Sequence, residues 1–183
     1  MAALLTGCFF VFSCENTDKQ FKELTETKEL VEEAKNVEAL LSQEGVVKAK
    51  LKSPLMLRHN AKTAADTSYA EFPKTLHVDF FDSTTKRQSW LDAKYGKYFE
   101  TQNKVYLRDS VIAININGDT LKTDELWWDQ QKEKFYTDKA YQLNTKTRRI
   151  HGPDGLEASQ DFKEINFNNP AGVIQVSQNG FPE

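Results

Sequence analysis

Six consecutive residues, Val47-Lys48-Ala49-Lys50-Leu51-Lys52, alternate apolar and basic without a break. Successive side chains of a strand point to opposite faces, so a period of two puts Val47, Ala49 and Leu51 on a dry face and three lysines on a wet one. The same alternation returns in Leu76-His77-Val78-Asp79-Phe80 and in Ile112-Ala113-Ile114-Asn115-Ile116-Asn117, and the second of these runs into Asn117-Gly118, a strong signal for a tight hairpin turn. Further strands are predicted over 88–95, 104–108, 120–128, 133–136, 139–143, 147–151, 155–158 and 163–167, with turn residues between them. Nothing after residue 45 carries helical spacing, so the expected fold is all-β.

A weak internal echo refines this. Leu121-Lys122-Thr123-Asp124-Glu125-Leu126-Trp127 and Phe135-Tyr136-Thr137-Asp138-Lys139-Ala140-Tyr141 match in type, and Ser89 to Tyr95 is a looser third copy. Each unit reads as strand, polar bend, strand. Stacked antiparallel units of this kind make a sandwich or a folded-over pair of sheets in the manner of a jelly roll. With 183 residues and 39% apolar content there is material for one domain with a real core and little for a second.

Residues 1–14, MAALLTGCFFVFSC, carry no charge, and a charged stretch begins abruptly at Glu15. Fourteen helical residues span only about 21 Å, which suits the apolar region of a signal peptide better than a membrane span. Ser13-Cys14 at the end of the run is similar to the lipobox of bacterial lipoproteins, which makes Cys14 the expected lipidation site. Leu5-Thr6-Gly7-Cys8 fits that pattern too, but it leaves too short a signal before it and a greasy segment after it. No Lys or Arg precedes Lys19, so the other reading of the segment is a clipped transmembrane helix; under either, the chain is anchored and exported. Residues 15–36, rich in Glu, Lys and Thr, read as a charged tether, and 37–183 as the β domain.

Composition and spacing argue against catalysis. A balance of 24 basic and 27 acidic residues disfavours nucleic acid as a partner. Both cysteines, Cys8 and Cys14, lie in the first segment, so the domain has neither a disulfide nor a thiolate nucleophile. His59, His77 and His151 are not spaced as metal ligands, no phosphate-binding glycine motif or nucleophile elbow occurs, and no cofactor is called for. Adjacent carboxylates such as Asp124-Glu125 point to opposite faces of a strand and cannot share a substrate. Of the pair Trp127-Trp128, one ring faces the interior and the other outward, where it lies beside Tyr136 and Tyr141 as ordinary packing or as a stacking platform.

The stretch "VIAININGDTLKTDELWWDQQKEKFYTDK", followed by "RRIHGPDGLEASQDF", resembles the LptC family, periplasmic components of the lipopolysaccharide export (Lpt) machinery with an OstA-like fold. The matching positions are Val111 to Asn115, Gly118, Leu121, Thr123, Asp124, Leu126, Trp128, Asp129, Thr137, Asp138, Gly152, Gly155 and Leu156, and the likeness extends over about 37–168. It implies a twisted, open β-jelly roll whose apolar groove takes the acyl chains of lipopolysaccharide. It also implies an inner-membrane ABC transporter that supplies the lipid, an LptA-like periplasmic bridge protein joined by edge-strand pairing, and a periplasmic site anchored at the inner membrane, here as a lipoprotein-type variant.

From alternation, the expected groove face is Ala49, Leu51, Leu76, Val78, Phe80, Ile112, Ile114, Ile116, Leu121, Leu126 and Trp128, with Gly45 as a turn glycine near its start. Any of these would look the same in a closed core. Two other functions fit the residues: a carbohydrate-binding envelope lipoprotein that stacks sugars on Trp127 and its neighbours, and a purely structural assembly module.

Overall fold

The computed structural model describes residues 31–61 and 66–174. The chain alternates so persistently that it forms almost nothing but strands: β1 (Val31–Gln43), β2 (Val46–His59), β3 (Tyr69–Phe72), β4 (Leu76–Phe81), β5 (Arg87–Ala93), β6 (Tyr95–Phe99), β7 (Lys104–Asn115), β8 (Thr120–Asp129), β9 (Lys134–Thr137), β10 (Tyr141–Asn144), β11 (Arg148–Gly152), β12 (Leu156–Ser159), β13 (Ile165–Phe167) and β14 (Ala171–Ile174). All pair antiparallel in one sheet, and among the described residues one 3-10 turn, Glu100–Gln102, interrupts them. Glu44 and Gly45 close the β1–β2 hairpin with φ of +52° and +78°. Two left-handed residues give a turn whose twist matches that of the flanking strands.

The sheet is folded over along a line of corners. β2 pairs with β4 through Ala49–Lys52 but with β3 through Leu57–His59. β7 pairs with β6 through Lys104–Arg108 and with β5 through Ile112–Asn115. β8 likewise pairs with β10 through Thr120–Thr123 and with β9 through Trp127–Asp129. One leaf is therefore built from the second half of β1, the first half of β2, β4, β5, the second half of β7, the first half of β8, β10, β11 and β14. The other leaf takes the remaining halves with β3, β6, β9, β12 and β13. This is the twisted, open β-jelly roll expected from the sequence, and the echo units fall on its corners, at Asp124-Glu125, at 138–140 and at Lys94.

At the corners of β2 and β8 the inward phase of the strand changes. In β8 the core residues are Leu121 and Thr123 before the bend and Leu126 and Trp128 after it, with Asp129 buried at the strand's end, because Asp124 and Glu125 both turn outward. Small hydroxyls secure the bends from inside. Ser53 Oγ shares its proton between Leu55 O (3.0 Å) and Thr75 O (3.1 Å), the latter on the neighbouring corner. Thr123 Oγ1 repeats the arrangement with Glu125 O (3.1 Å) and Ala140 O (2.9 Å). Thr123→Val keeps the shape and removes the donor, leaving those two carbonyls short in a site where Thr123 is 8% exposed. The expected loss is about 1–2 kcal/mol in urea unfolding, with Thr123→Ser close to the parent.

The core lies between the leaves. Phe80, Leu91, Leu107, Leu121, Leu126, Val111 and Phe135 are all under 2% exposed. Residues 31–36, read from sequence as tether, are instead the first half of β1: Glu32, Glu33 and Lys35 face solvent on an edge strand, where charges are the usual guard against unwanted pairing. Cys14, Cys8 and the rest of 1–30 lie outside the described residues. The strand expected at 88–95 is two strands that meet at Lys94, whose N–H donates to Asp109 O across the corner (3.1 Å).

Candidate functional site

An acyl-binding interior needs apolar walls and a way in. The inward phase of β2, β4 and β8 is the one read from alternation, and it places Ala49, Leu51, Leu76, Val78, Phe80, Leu121, Leu126 and Trp128 inside. In β7 the phase is the reverse of the expectation. Val111 and Ala113 are buried with Asn115, while Ile112 and Ile114 stand half-buried on the outer face and Ile116 is 66% exposed. Asn115 accounts for the difference, because its side chain is used up in holding the turn. Its Oδ1 accepts from the N–H groups of Asn117 (2.9 Å) and Asp119 (3.0 Å), and its Nδ2 donates to Asp119 Oδ2 (2.9 Å). A buried amide with its bonds made costs little, whereas polarity alone had assigned Asn115 to the wet side. Val105 and Leu107, upstream in the same strand and in the same phase, are the signal that identifies the true inner face.

Two openings lead into the interior at opposite ends of the strand order. The first, of about 320 Å³, lies beside β1 and β2 and is walled by Ala39, Leu41, Ala49, Leu51, Met56, Ala70, Phe72, Val78, Tyr98, Val105 and Trp128. That is the volume of about ten water molecules, room for a single alkyl chain. Arg58, Glu100 and Gln130 form its polar rim, with Arg58 Nη2 3.1 Å from Glu100. Burial holds the Tyr98 phenol above its ordinary pKa, with a further push from Glu100, so this ring stays neutral. The second opening, of about 480 Å³, lies beside β10, β11 and β13, between Leu143 and Ile150 of one leaf and Phe162, Ile165 and Phe167 of the other.

Edge-to-face rings connect the two. Trp128, on the wall of the first opening, meets Phe80 at 4.8 Å; Phe80 meets Phe135 at 5.3 Å; and Phe135 meets Phe162, on the wall of the second, at 6.1 Å. Such T-shaped pairs are favourable arrangements, so the passage between the openings is filled by packed side chains. Of the expected groove residues, Ala49, Leu51, Val78 and Trp128 line the first opening, Phe80 belongs to the ring row, and Leu76, Leu121 and Leu126 are closed core. Gly45 is at the hairpin turn with open space around it. Met56, Arg58, Tyr98 and Glu100 were missed, because β3 and most of β6 carry no clean alternation and β2 changes phase at Pro54.

The outer face carries the aromatic row that the sequence suggested. Trp127 does face outward, but it stands nearly parallel between Phe99 (6.0 Å, 23°) and Tyr136 (6.2 Å, 8°), with Tyr106 against it at 5.0 Å. Trp127 thus sits in a row of outer-face aromatic side chains, packed against its cross-strand neighbours. Tyr141 points inward, 3% exposed, and stacks on Phe167.

Over residues 1–170 the sequence matches the family described as "Lipopolysaccharide-assembly, LptC-related". The chain belongs to the LptC family. No protein of curated function matches it. Membership assigns the chain a role in lipopolysaccharide export as a transport component rather than an enzyme, in the periplasm and associated with the inner membrane. Among the described residues no helix is long and apolar enough to cross a membrane, and no cluster of potential metal ligands occurs.

Proposed function

We propose that the protein accepts lipopolysaccharide from the inner-membrane ABC transporter and passes it through the interior of the roll to an LptA-like periplasmic bridge protein. The observation that carries this reading is the pair of openings, each with an apolar wall, at the two ends of one interior and joined by a row of packed aromatic rings. An acyl chain gains about 0.8 kcal/mol per buried CH₂ at any such station, so transfer between stations is nearly level and the direction comes from the transporter's ATP hydrolysis. No side chain has to do chemistry. An anchor at the N-terminus, by lipid on Cys14 or by a helix, keeps the roll beside the transporter.

The hand-over uses the edges of the roll. β1 is the paired neighbour of β2 alone and carries Glu32, Glu33, Lys35 and Glu38, whereas the edge strand β14, Ala171–Ile174, has no charge, and Val173 is 69% exposed. An uncharged edge is the one suited to receive a partner's strand through backbone hydrogen bonds. A photo-crosslinking residue at Leu51 is expected to form adducts with lipopolysaccharide in cells. The same residue at Ile114, on the outer face, is expected to form none. Adducts at both positions, or at neither, would count against passage through the interior.

A further inference from the structure

Opposite the corners, the free ends of the two leaves meet along a seam. The β1–β2, β4–β5 and β7–β8 turns end the strands of one leaf there, and the β8–β9 and β12–β13 turns end those of the other. Polar side chains cross the seam at successive places in the strand order. Lys48 Nζ meets Glu133 Oε1 at 2.8 Å beside the first opening, whose wall includes Ala49 and whose rim includes Gln130. Gln88 Nε2 donates to Gln160 Oε1 at 3.4 Å, and Asn115 Nδ2, toward the second opening, donates to Asp161 O at 3.3 Å. At none of these places does a backbone-to-backbone hydrogen bond join the leaves.

The corners are held differently. There the chain itself runs from leaf to leaf in β2, β7 and β8, and Ser53 and Thr123 brace two of the bends with buried hydroxyls. In β7 the bend is a bulge at which Asp109 and Ser110 are both left-handed, with φ of +65° and +61°, and the register with β8 shifts there. A short irregular stretch of this kind is where hinge motion between packed layers is absorbed. The seam is weak by comparison. Its Lys48 and Glu133 side chains are 26% and 46% exposed, and an ion pair so open to water adds little to stability. Its two amide bonds are long for N–H···O contacts.

We infer that the roll is hinged at its corners and opens along this seam, with Lys48 and Glu133 as the latch beside the first opening. The packing of the interior calls for such a movement. The row of Trp128, Phe80, Phe135 and Phe162 fills the space between the openings, and the first opening has room for a single alkyl chain, so a lipid with more than one chain enters from the side as the leaves part. For its purpose the hinge rests on the transfer reading above, and it adds to that reading the side on which the roll admits its cargo and the residues that hold it shut.

The test places spin labels on azide-bearing residues at Lys86 and Lys132 of the full-length protein, exposed turn positions on opposite sides of the seam, which leaves Cys8 and Cys14 untouched. Pulsed electron–electron resonance reads the distance between them. Lipopolysaccharide is expected to shift it outward by about 5 Å, half the spacing of sheets packed face to face. Lys48→Glu sets two carboxylates against each other; it is expected to give that shift without lipid, and in a parallel preparation to raise the rate of photo-adduct formation at Leu51 about threefold, the scale of one exposed charge contact. Lys48→Glu/Glu133→Lys restores the pair with its polarity reversed and should return both readings to the parent values. A distance unchanged by lipid, in protein that still forms the Leu51 adduct, overturns the hinge and leaves transfer standing. Loss of the Leu51 adduct while Lys48→Glu still widens the distance removes the transfer reading and keeps the hinge. Widening in the single and the double variant alike would show that the turn and not the ion pair was disturbed, and overturns the latch.

Discussion

Gly155→Ala is expected to lower the stability of the domain by roughly 2–4 kcal/mol, an unusually large effect for the addition of one methyl group. Gly155 follows the β11 corner with φ of +84°, a backbone region that costs an L-residue about 1–2 kcal/mol. A Cβ there would sit 1.9 Å from Thr137 O and 2.8 Å from Asp138 Cα, backbone atoms of the adjoining corner that no rotamer change can move aside. Relief requires the two corners to separate, which strains the bond from Asn168 N to Gly155 O (3.0 Å) and the β9–β12 pairing that begins at Thr137 and Leu156. Gly118 is the control. Its φ is +88° but nothing lies within 4 Å of its Cβ position, so Gly118→Ala should cost only the backbone penalty. Urea unfolding of both variants separates the contributions, and equal losses would show that the close approach of the corners contributes nothing.

The second large effect is expected at the middle of the ring row. Phe135 is 0% exposed and touches both Phe80 (5.3 Å) and Phe162 (6.1 Å). Phe135→Ala removes the transfer free energy of the ring and leaves a cavity between leaves that are hydrogen-bonded along their length and cannot collapse. A loss of about 3–5 kcal/mol follows, against less than about 2 kcal/mol for Phe135→Leu. Denaturant unfolding of the two variants measures the difference. A small loss in the alanine variant would mean that the leaves close readily over the gap, and that the interior is more compliant than its packing indicates.

These two positions illustrate what could be read in advance. Gly155 stands in a turn that sequence marks plainly, Gly152-Pro153-Asp154-Gly155, yet the reason it must be glycine is Thr137, eighteen residues away on the adjoining corner. Phe135 is a recognisable strand residue, but its place between Phe80 and Phe162 depends on how three separate strands stack. The edge strand β1 was hidden for a related reason: its charged side chains face water, and its partner β2 supplies the pairing that its own pattern does not advertise.

Alternation is a local property, and wherever one face of a strand must be dry it is enough. Ala49 and Leu51 in β2, Leu76, Val78 and Phe80 in β4, and Leu121, Leu126 and Trp128 in β8 all face the interior as the sequence alone determined, because a slip of one residue would expose the whole set. The all-β class and the folded-over jelly roll follow from the same pattern and from the repeated corners. What tertiary structure decided is each place where two readings are locally equal. In β7 both faces are apolar enough, and the buried hydrogen bonds of Asn115 select Val111 and Ala113 over Ile112, Ile114 and Ile116. The openings likewise arise from residues far apart in the chain, which the fold brings together at the ends of two leaves whose pairing stops there.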